Sequence, residues 1–182
     1  MSLPFFTIGH SNRSIGAFIE LLQEAQVALL VDIRKMPMSR ANPQFNEDAL
    51  PAALSAFQIA YEPVAALGGL RAQARGLPGD VNGYWENRSF HNYADYALSE
   101  PFHEGLQRLL KQGDRQRCAI MCSEAVWWRC HRRIVSDYLI AAGRSVFHIL
   151  GKGHIEPAHP TPGAVVREDR TVVYPAAQRS DR

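Results

Sequence analysis

Residues 118–124 read Cys-Ala-Ile-Met-Cys-Ser-Glu, five apolar residues followed at once by two polar ones. A short apolar run of this kind is typical of a strand that is covered on both faces of a parallel sheet. Two further apolar runs, Phe5–Ile8 and Ala28–Ile33, are each followed by helical patterns. The alternation predicts a Rossmann-like α/β fold with three layers, in which helices cover both faces of a mainly parallel sheet.

The remainder of the chain continues this pattern, and we expect one α/β domain over residues 1–182 because no repeat or linker divides it. Ser14 is a candidate N-cap for the first helix. The further predicted elements are a helix after Asn46, a strand at Ile59–Val64, a long loop or lid at 65–92, a helical stretch that begins at Tyr93 and restarts at Pro101, a helix over Ala125–Ala142, a strand at Ser145–Leu150, and an extended tail at 151–182 with a small hairpin of Val165–Val166 and Thr171–Tyr174.

The composition favours a protein without a membrane segment. There are 20 basic and 18 acidic side chains, so the net charge of +2 gives no whole-protein case for nucleic acid, although local basic patches leave that partner open. No run approaches the roughly 18 apolar residues of a membrane span, and the N-terminus does not resemble a signal peptide. The three cysteines are a poor disulfide framework, and we expect a cytoplasmic protein with reduced thiols.

Three predicted strand ends carry the polar side chains of interest. In open α/β sheets, ligands bind beyond the carboxyl ends of the strands, where the strand order switches direction. The strand ends here are Gly9–Ser11, Asp32–Arg34 and Cys122–Glu124. We therefore expect these three segments to share one edge of the sheet.

Cys122 is the leading candidate for a nucleophile. A thiol between a strand end and the start of a helix lies near the positive end of the helix dipole, which favours the thiolate. His10 or His131 would act as the base; the alternative is that Cys122 is a small buried apolar residue. Glu124 is either a carboxylate that stabilises the helix start or a functional group, namely a general acid or base, a nucleophile, or an acceptor for ligand hydroxyls.

The periodicity of the predicted helix at 125–142 divides its side chains between two faces. Cys130 and His131 fall on the face toward the sheet. Arg132, together with Ser136 and Asp137, falls on the outward face. Adjacent helical residues diverge by about 100°, and this spacing argues against one metal ion bound by both Cys130 and His131.

Asp32 and Arg34 are two residues apart on a strand and therefore share a face. They form either a buried ion pair or, through Arg34, a clamp for a carboxylate or phosphate. The following segment adds Lys35 and Arg40. This positive segment favours an anionic ligand.

Several motifs resemble a bacterial family called domain of unknown function 488. They include Thr7-Ile8-Gly9-His10-Ser11 and the pattern C-x-E-x5-C-H-R that begins at Cys122. The resemblance implies a compact α/β domain but no particular activity. Two departures are Trp127, where the family commonly has proline, and Leu70, where it commonly has a basic residue. The motif positions present in this chain are His10, Ser11, Asp32, Arg34, Cys122, Glu124, Cys130, His131 and Arg132.

These observations lead to one functional prediction with two alternatives. The prediction is an enzyme that acts on a small anionic or nucleotide-like substrate without a metal or cofactor. The alternatives are a non-enzymatic nucleotide- or nucleic-acid-binding module and a metal-binding or thiol redox-sensing protein. The expected catalytic residues are Cys122, Glu124, His10 and His131, and the expected substrate-binding residues are Ser11, Asp32, Arg34, Arg40, Cys130 and Arg132.

Overall fold

A six-stranded sheet in the order β3-β2-β4-β1-β5-β6 organises the protein, and the computed structural model describes residues 2–177. Strands β1 to β5 are parallel, and β6 pairs antiparallel with β5. The strands are β1 (Phe5–Gly9), β2 (Leu29–Asp32), β3 (Ala60–Pro63), β4 (Cys118–Cys122), β5 (Val146–Gly151), β6 (His154–Pro157), β7 (Val165–Val166) and β8 (Val172–Val173), and the helices are α1 (Ile15–Glu24), α2 (Leu50–Ser55), α3 (Arg88–Tyr96), α4 (Glu100–Arg115) and α5 (Arg132–Ala141).

Helices lie on both faces of the sheet, which gives two apolar cores. One core joins α1 and α2 to side chains such as Ile8, Leu30 and Met121. The other joins α3, α4 and α5 to the opposite faces of the same strands, through side chains such as Val31 and Ile120. The side chains of successive strand residues therefore pack into alternate cores, as expected for a sheet covered on both sides. The Rossmann-like architecture and the small C-terminal hairpin, formed by β7 and β8, are both confirmed.

The strand order switches direction between β1 and β4. From β1 the chain crosses over β4 to reach β2, whereas from β4 it crosses over β1 to reach β5. The two connections leave in opposite directions, which opens a crevice at the carboxyl ends of these neighbouring strands. Gly9 and Cys122 are partners in the register at this end. The switch therefore falls between two of the three predicted strand ends.

The predicted helix at 125–142 is wrong at its start. A 3₁₀ turn occupies Trp127–Arg129, Cys130 is extended, and α5 begins only at Arg132. Trp127 holds the turn away from the helix, because its ring stacks on His148 at a centroid distance of 4.5 Å and its Nε1 donates to Glu156 Oε1 over 3.1 Å. Cys130 and His131 consequently precede the helix, and the helical spacing used to separate them does not apply.

The prediction that Arg132, Ser136 and Asp137 point outward is also wrong, because all three are at most 3% exposed. The C-terminal segment covers this side of α5. Thr161 donates its backbone N–H to Asp137 Oδ1 over 2.9 Å, and the Tyr174 hydroxyl donates to Asp137 Oδ2 over 2.7 Å. Residues distant in sequence thus bury a face that periodicity assigns to solvent.

Other boundaries differ by a few residues. Within the predicted loop at 65–92, Ala65–Leu67 forms a 3₁₀ turn and α3 already begins at Arg88, where the Asn87 side chain accepts from Phe90 N. The helix predicted after Asn46 begins at Leu50. Strand β6 was not predicted. It has only four residues and lies at the edge of the sheet. The tail predicted as extended from residue 151 therefore begins with a strand of the main sheet.

Candidate functional site

A cavity of about 820 Å³ opens at the switch point. Its floor includes the ends of β1 and β4, and its walls come from the segments that follow β2, from Gly69 and Leu70, and from the start of α3. The volume lies in the range that accommodates a drug-sized ligand. The predicted meeting of chain segments around positions 10, 34 and 122–131 therefore coincides with a real cavity.

The ends of β1 and β4 are joined by backbone hydrogen bonds beyond the strands themselves. His10 N donates to Cys122 O over 2.9 Å, and Ser11 N donates to Ser123 O over 3.0 Å. Gly9 permits the crossing of the chain above β1, because a Cβ atom there would lie only 1.7 Å from the Glu124 carbonyl oxygen. Local backbone geometry thus fixes His10 beside Cys122.

Two cysteine side chains lie side by side at the floor of the cavity. The Sγ atoms of Cys122 and Cys130 are in contact, and the two residues are 2% and 4% exposed. Their Cα atoms are 7.5 Å apart, more than the roughly 4.4–6.8 Å usual for disulfides, so a relaxed bridge requires the backbone to draw together. The count of three cysteines did not indicate this pairing. Cys118, the third, is buried on β4 away from the cavity lining.

Cys130 has two polar neighbours. Its Sγ lies 3.5 Å from His131 Nδ1, and it accepts the backbone N–H of Arg132 over 3.4 Å. His131 Nε2 lies 2.8 Å from the carbonyl oxygen of Ile33, which can only accept a hydrogen bond. The ring therefore carries its proton on Nε2, and its Nδ1 lone pair faces the Cys130 thiol.

Burial lowers the pKa of His131 to about 4, with the positive charges of Arg132 and Arg71 acting in the same direction and the hydrogen bond to Ile33 opposing it. The ring is accordingly neutral at pH 7. Gly69 packs against this ring, since a Cβ at residue 69 would lie 3.0 Å from His131 Nδ1. The geometry therefore presents an unprotonated imidazole nitrogen to a thiol.

His10 differs from His131 because both of its ring nitrogens are occupied. Its Nδ1 donates to the Ser11 carbonyl oxygen over 2.8 Å, so Nε2 is the acceptor for Arg34 Nη1 at 3.3 Å. Burial lowers the pKa of His10, and the nearby Arg34 lowers it further, while the bond to Ser11 and the charge of Asp32 oppose the shift. His10 orients Arg34 in this arrangement.

Arg34 is also held by Asp32, as one of the two sequence interpretations stated. Asp32 accepts from Arg34 Nε at 2.9 Å and from Arg34 Nη2 at 2.7 Å, and the Tyr61 hydroxyl donates to the same carboxylate over 2.6 Å. Burial and this hydrogen bond raise the pKa of Tyr61 well above the ordinary range of phenols. The ion pair is buried, so Arg34 lines the cavity with most of its donors already used.

Arg132 is the most unusual polar side chain near the site. It is 1% exposed, and its Nε and Nη1 atoms have no hydrogen-bond partner among residues 2–177. Burial lowers its pKa to about 9, an effect that Glu124 opposes and Arg13 reinforces, so the guanidinium is charged at pH 7. It contributes positive potential behind the cavity without lining it.

The cavity collects most, but not all, of the predicted site residues. Those that line it are His10, Ser11, Arg34, Cys122, Glu124, Cys130 and His131. Asp32 lies behind Arg34, Arg132 lies behind the thiols, and Arg40 is exposed outside the lining. Sequence reasoning did not identify the apolar lining residues Met36, Met38 and Leu70, because no periodicity marks an exposed loop position, and it also missed the half-buried Phe90 on α3.

Between residues 2 and 177, no group of three or more His, Cys, Asp or Glu side chains is arranged to hold a metal ion. None of the helices in that same part of the chain has the length and apolar character needed to cross a bilayer.

The fold and the cavity define the class of this protein as a Rossmann-like α/β protein with a pair of adjacent cysteines at its topological switch point. Residues 14–139 match the family model described as Domain of unknown function DUF488, and the chain belongs to this family. The matched region contains the C-x-E-x5-C-H-R motif, whereas Thr7–Ser11 lies outside it. No curated protein and no solved structure matches the chain.

Proposed function

We propose that this protein is an enzyme that uses a cavity thiol to act on a small anionic substrate, a class that includes nucleotide-like molecules. The observation that carries the proposal is the placement of Cys130 Sγ beside the unprotonated Nδ1 of His131 at the floor of the cavity. A nucleophile, an adjacent base and a third group that orients the base are the elements of nucleophilic catalysis. The carbonyl of Ile33 is the orienting group.

Cys130 is the nucleophile in this proposal, in place of Cys122. Its thiol proton passes to His131 Nδ1, and the thiolate accepts the Arg132 backbone N–H at the first turn of α5. A helix N-terminus stabilises a thiolate, and the charged Arg132 guanidinium adds to that effect. Cys122 lies in contact with this sulfur and shares the same substrate position.

The remaining catalytic candidates have different roles. His10 positions Arg34, because both of its ring nitrogens are engaged. Glu124 has an exposed side chain on the cavity wall and is free to exchange a proton with a leaving group. Ser11 contributes a hydroxyl to the same wall.

The charges around the cavity support an anionic substrate. Lys35, Arg34 and Arg129 line it, against the single carboxylate of Glu124. Asp32 neutralises Arg34, so the exposed Lys35 and Arg129 supply the attraction. Such charges raise the local concentration of anions and the rate at which they enter.

The test compares two alkylating reagents of nearly the same shape, the anion iodoacetate and the neutral iodoacetamide. We expect the ratio of the iodoacetate rate to the iodoacetamide rate to be higher for the protein than for a small free thiol. Lys35→Ala and Arg129→Ala should lower this ratio to that of the free thiol. Cys130→Ser should abolish the fast reaction, whereas Cys118→Ala should leave it unchanged. A fast reaction that survives in Cys130→Ser would reject Cys130 as the nucleophile. A rate ratio for the unmodified protein equal to that of the free thiol would reject the anionic substrate.

The contact between the two sulfurs favours a second candidate, a thiol redox sensor. Peroxide would oxidise Cys122 and Cys130 to a disulfide, with the two thiol hydrogens and two electrons passing to the peroxide to give two waters. Peptide mapping without reductant should then find the two residues linked while Cys118 remains free. If peroxide leaves both thiols unlinked, this candidate is rejected.

The nucleic-acid alternative has less support from the geometry. Arg71, one of the arginines considered for such a surface, donates to the Gly68 carbonyl over 3.0 Å and to the Ala65 carbonyl over 2.8 Å, and it covers the Tyr96 ring. This arginine stabilises its own loop. A mobility assay over a salt series would detect binding, whose strength should fall steeply with salt.

A further inference from the structure

Three large apolar side chains are exposed around the mouth of the cavity. Met36, Met38 and Leu70 are 72%, 59% and 81% exposed, and all three line the cavity whose floor holds the buried thiols. Leaving such side chains in water forgoes the favourable free energy that burial of their apolar surface would provide. We refer to Met36, Met38 and Leu70 as the apolar rim.

The backbone of Leu70 is held in a conformation that disfavours its side chain. Its φ angle is +58°, in the left-handed region that a residue with a Cβ atom such as leucine disfavours. Gly68, two residues before Leu70, packs against Lys35, since a Cβ there would lie 2.7 Å from the Lys35 Cα. Lys35 Nζ also donates to the Leu70 carbonyl over 3.3 Å. The two loops that carry the rim are therefore fixed to each other, and the fold maintains Leu70 in an exposed position.

The rim and the floor have contrasting chemistry. The floor presents thiols, imidazole and guanidinium groups, whereas the rim presents methionine and leucine side chains. Methionine adapts its shape to varied apolar ligands and is common at binding surfaces. A cavity of about 820 Å³ also exceeds what a small inorganic anion requires and fits a ligand of drug-like size.

We infer that the substrate of this site is amphipathic, with a polar, anionic head that reaches the thiols and an apolar tail that lies among Met36, Met38 and Leu70. This inference rests on the proposed function for the head of the substrate and extends it to the tail. The continuity of the rim with the cavity favours the tail of the same ligand over a separate partner. Burial of the tail removes the three rim side chains from water together with the tail itself.

The experiment uses N-alkylmaleimides, which react with thiols at a constant head group while the alkyl tail is varied. The ratio of the N-hexylmaleimide rate to the N-ethylmaleimide rate measures the contribution of the tail. We expect this ratio to exceed the ratio for N-acetylcysteine by about tenfold. The hexyl group has four more methylene groups than the ethyl group, and a tenfold effect corresponds to their partial burial. Met36→Ser, Met38→Ser and Leu70→Asn combined should reduce the ratio to that of the free thiol, and asparagine at position 70 tolerates a positive φ.

The matched control is Phe57→Ser, which removes an exposed apolar side chain, 50% exposed, away from the cavity lining. It should leave the ratio unchanged. A ratio equal to that of the free thiol in the unmodified protein would overturn the inference about the tail while leaving the thiol chemistry intact.

A second measurement applies if the thiols prove unreactive and the proposed function fails. N-hexylsuccinimide is the saturated, unreactive analogue, and calorimetry would compare its binding with that of N-ethylsuccinimide. Tighter binding of the hexyl compound that is lost in the triple rim variant would support the apolar tail site alone. Equal binding of the two compounds would reject it.

Discussion

His131 Nε2 donates to the carbonyl oxygen of Ile33 over 2.8 Å, and this one hydrogen bond decides which nitrogen of the ring faces the thiol of Cys130. The carbonyl lies immediately beyond β2, whereas Cys130 precedes α5. Two segments almost one hundred residues apart thus set the protonation pattern of the site. A substitution that keeps a donor in place of Nε2 but removes the base Nδ1 tests this consequence.

His131→Gln should reduce the alkylation rate of Cys130 by about 100-fold, the lower end of the contribution expected of a positioned base. The glutamine amide nitrogen can replace Nε2 as the donor to Ile33, but the amide oxygen is far too weak a base to take the thiol proton as Nδ1 does. Mass spectrometry of the iodoacetamide adduct over time would give the rate. An unchanged rate, with the thermal stability preserved, would exclude His131 as the base.

The buried Asp32–Arg34 pair should contribute strongly to stability. Asp32→Asn removes the charge opposite Arg34, and both residues are less than 9% exposed, so we expect a loss of about 3–5 kcal/mol in the free energy of unfolding. Urea denaturation at pH 7 would measure the loss. As a control, Arg108→Ala breaks an ion pair with Glu62 in which Arg108 is 59% exposed, and it should cost less than about 1 kcal/mol. Similar losses for the two variants would contradict this interpretation.

Sequence reasoning succeeded where the signal is local or periodic. The apolar runs gave β1, β2 and β4, and the rule about strand ends placed His10, Arg34 and Cys122 at one edge. The order of the strands was not needed for this result, because parallel strands share one carboxyl edge. The family was also identified from its motifs, and the match over residues 14–139 confirms it.

The errors have a common cause, which is tertiary contact. Trp127 stacks on His148 and so delays the start of α5, and Thr161 and Tyr174 bury the side of α5 that carries Asp137. No local pattern in residues 125–142 encodes these partners. Helical periodicity alone therefore could not predict the orientation of Arg132.

Stability should fall as the pH is lowered, because buried histidines must remain neutral in the folded protein. Burial lowers the pKa of His148 to about 3, with Arg132 and His159 acting in the same direction, while an unfolded histidine titrates near about 6.5. Between these values the unfolded chain binds the additional proton, so the free energy of unfolding decreases by up to about 1.4 kcal/mol per pH unit for this residue. The stabilisation is thus complete above about pH 6.5 and is lost progressively below it.

His148→Gln should reduce the slope of the free energy of unfolding against pH between about pH 5 and 6.5, because up to about one proton fewer is taken up on unfolding. Urea denaturation at several pH values would give the slope. The control His103→Gln alters an exposed histidine on α4 and should leave the slope as it is. If the two variants give the same slope, burial of His148 does not set the acid sensitivity.

Two glycines near the first strand provide a matched pair for the close approach of the chain above β1. Gly9→Ala would place a Cβ atom 1.7 Å from the Glu124 carbonyl oxygen, whereas Gly16→Ala on α1 meets no atom of residues 2–177 within 4 Å. We expect Gly9→Ala to destabilise the protein by about 1–3 kcal/mol, as overpacking does. Gly16→Ala should stabilise it by up to about 1 kcal/mol through helix propensity.

The same pair of variants tests whether the backbone crossing positions the thiols. Relief of the overlap in Gly9→Ala requires the segment around Glu124 to move, and this segment connects Cys122 to Cys130. The alkylation rate of the folded protein should therefore change in Gly9→Ala and remain constant in Gly16→Ala, as measured by iodoacetamide labelling well below the unfolding transition. A destabilised Gly9→Ala protein with an unaltered alkylation rate would mean that the crossing contributes to stability but does not set the geometry of the two sulfurs.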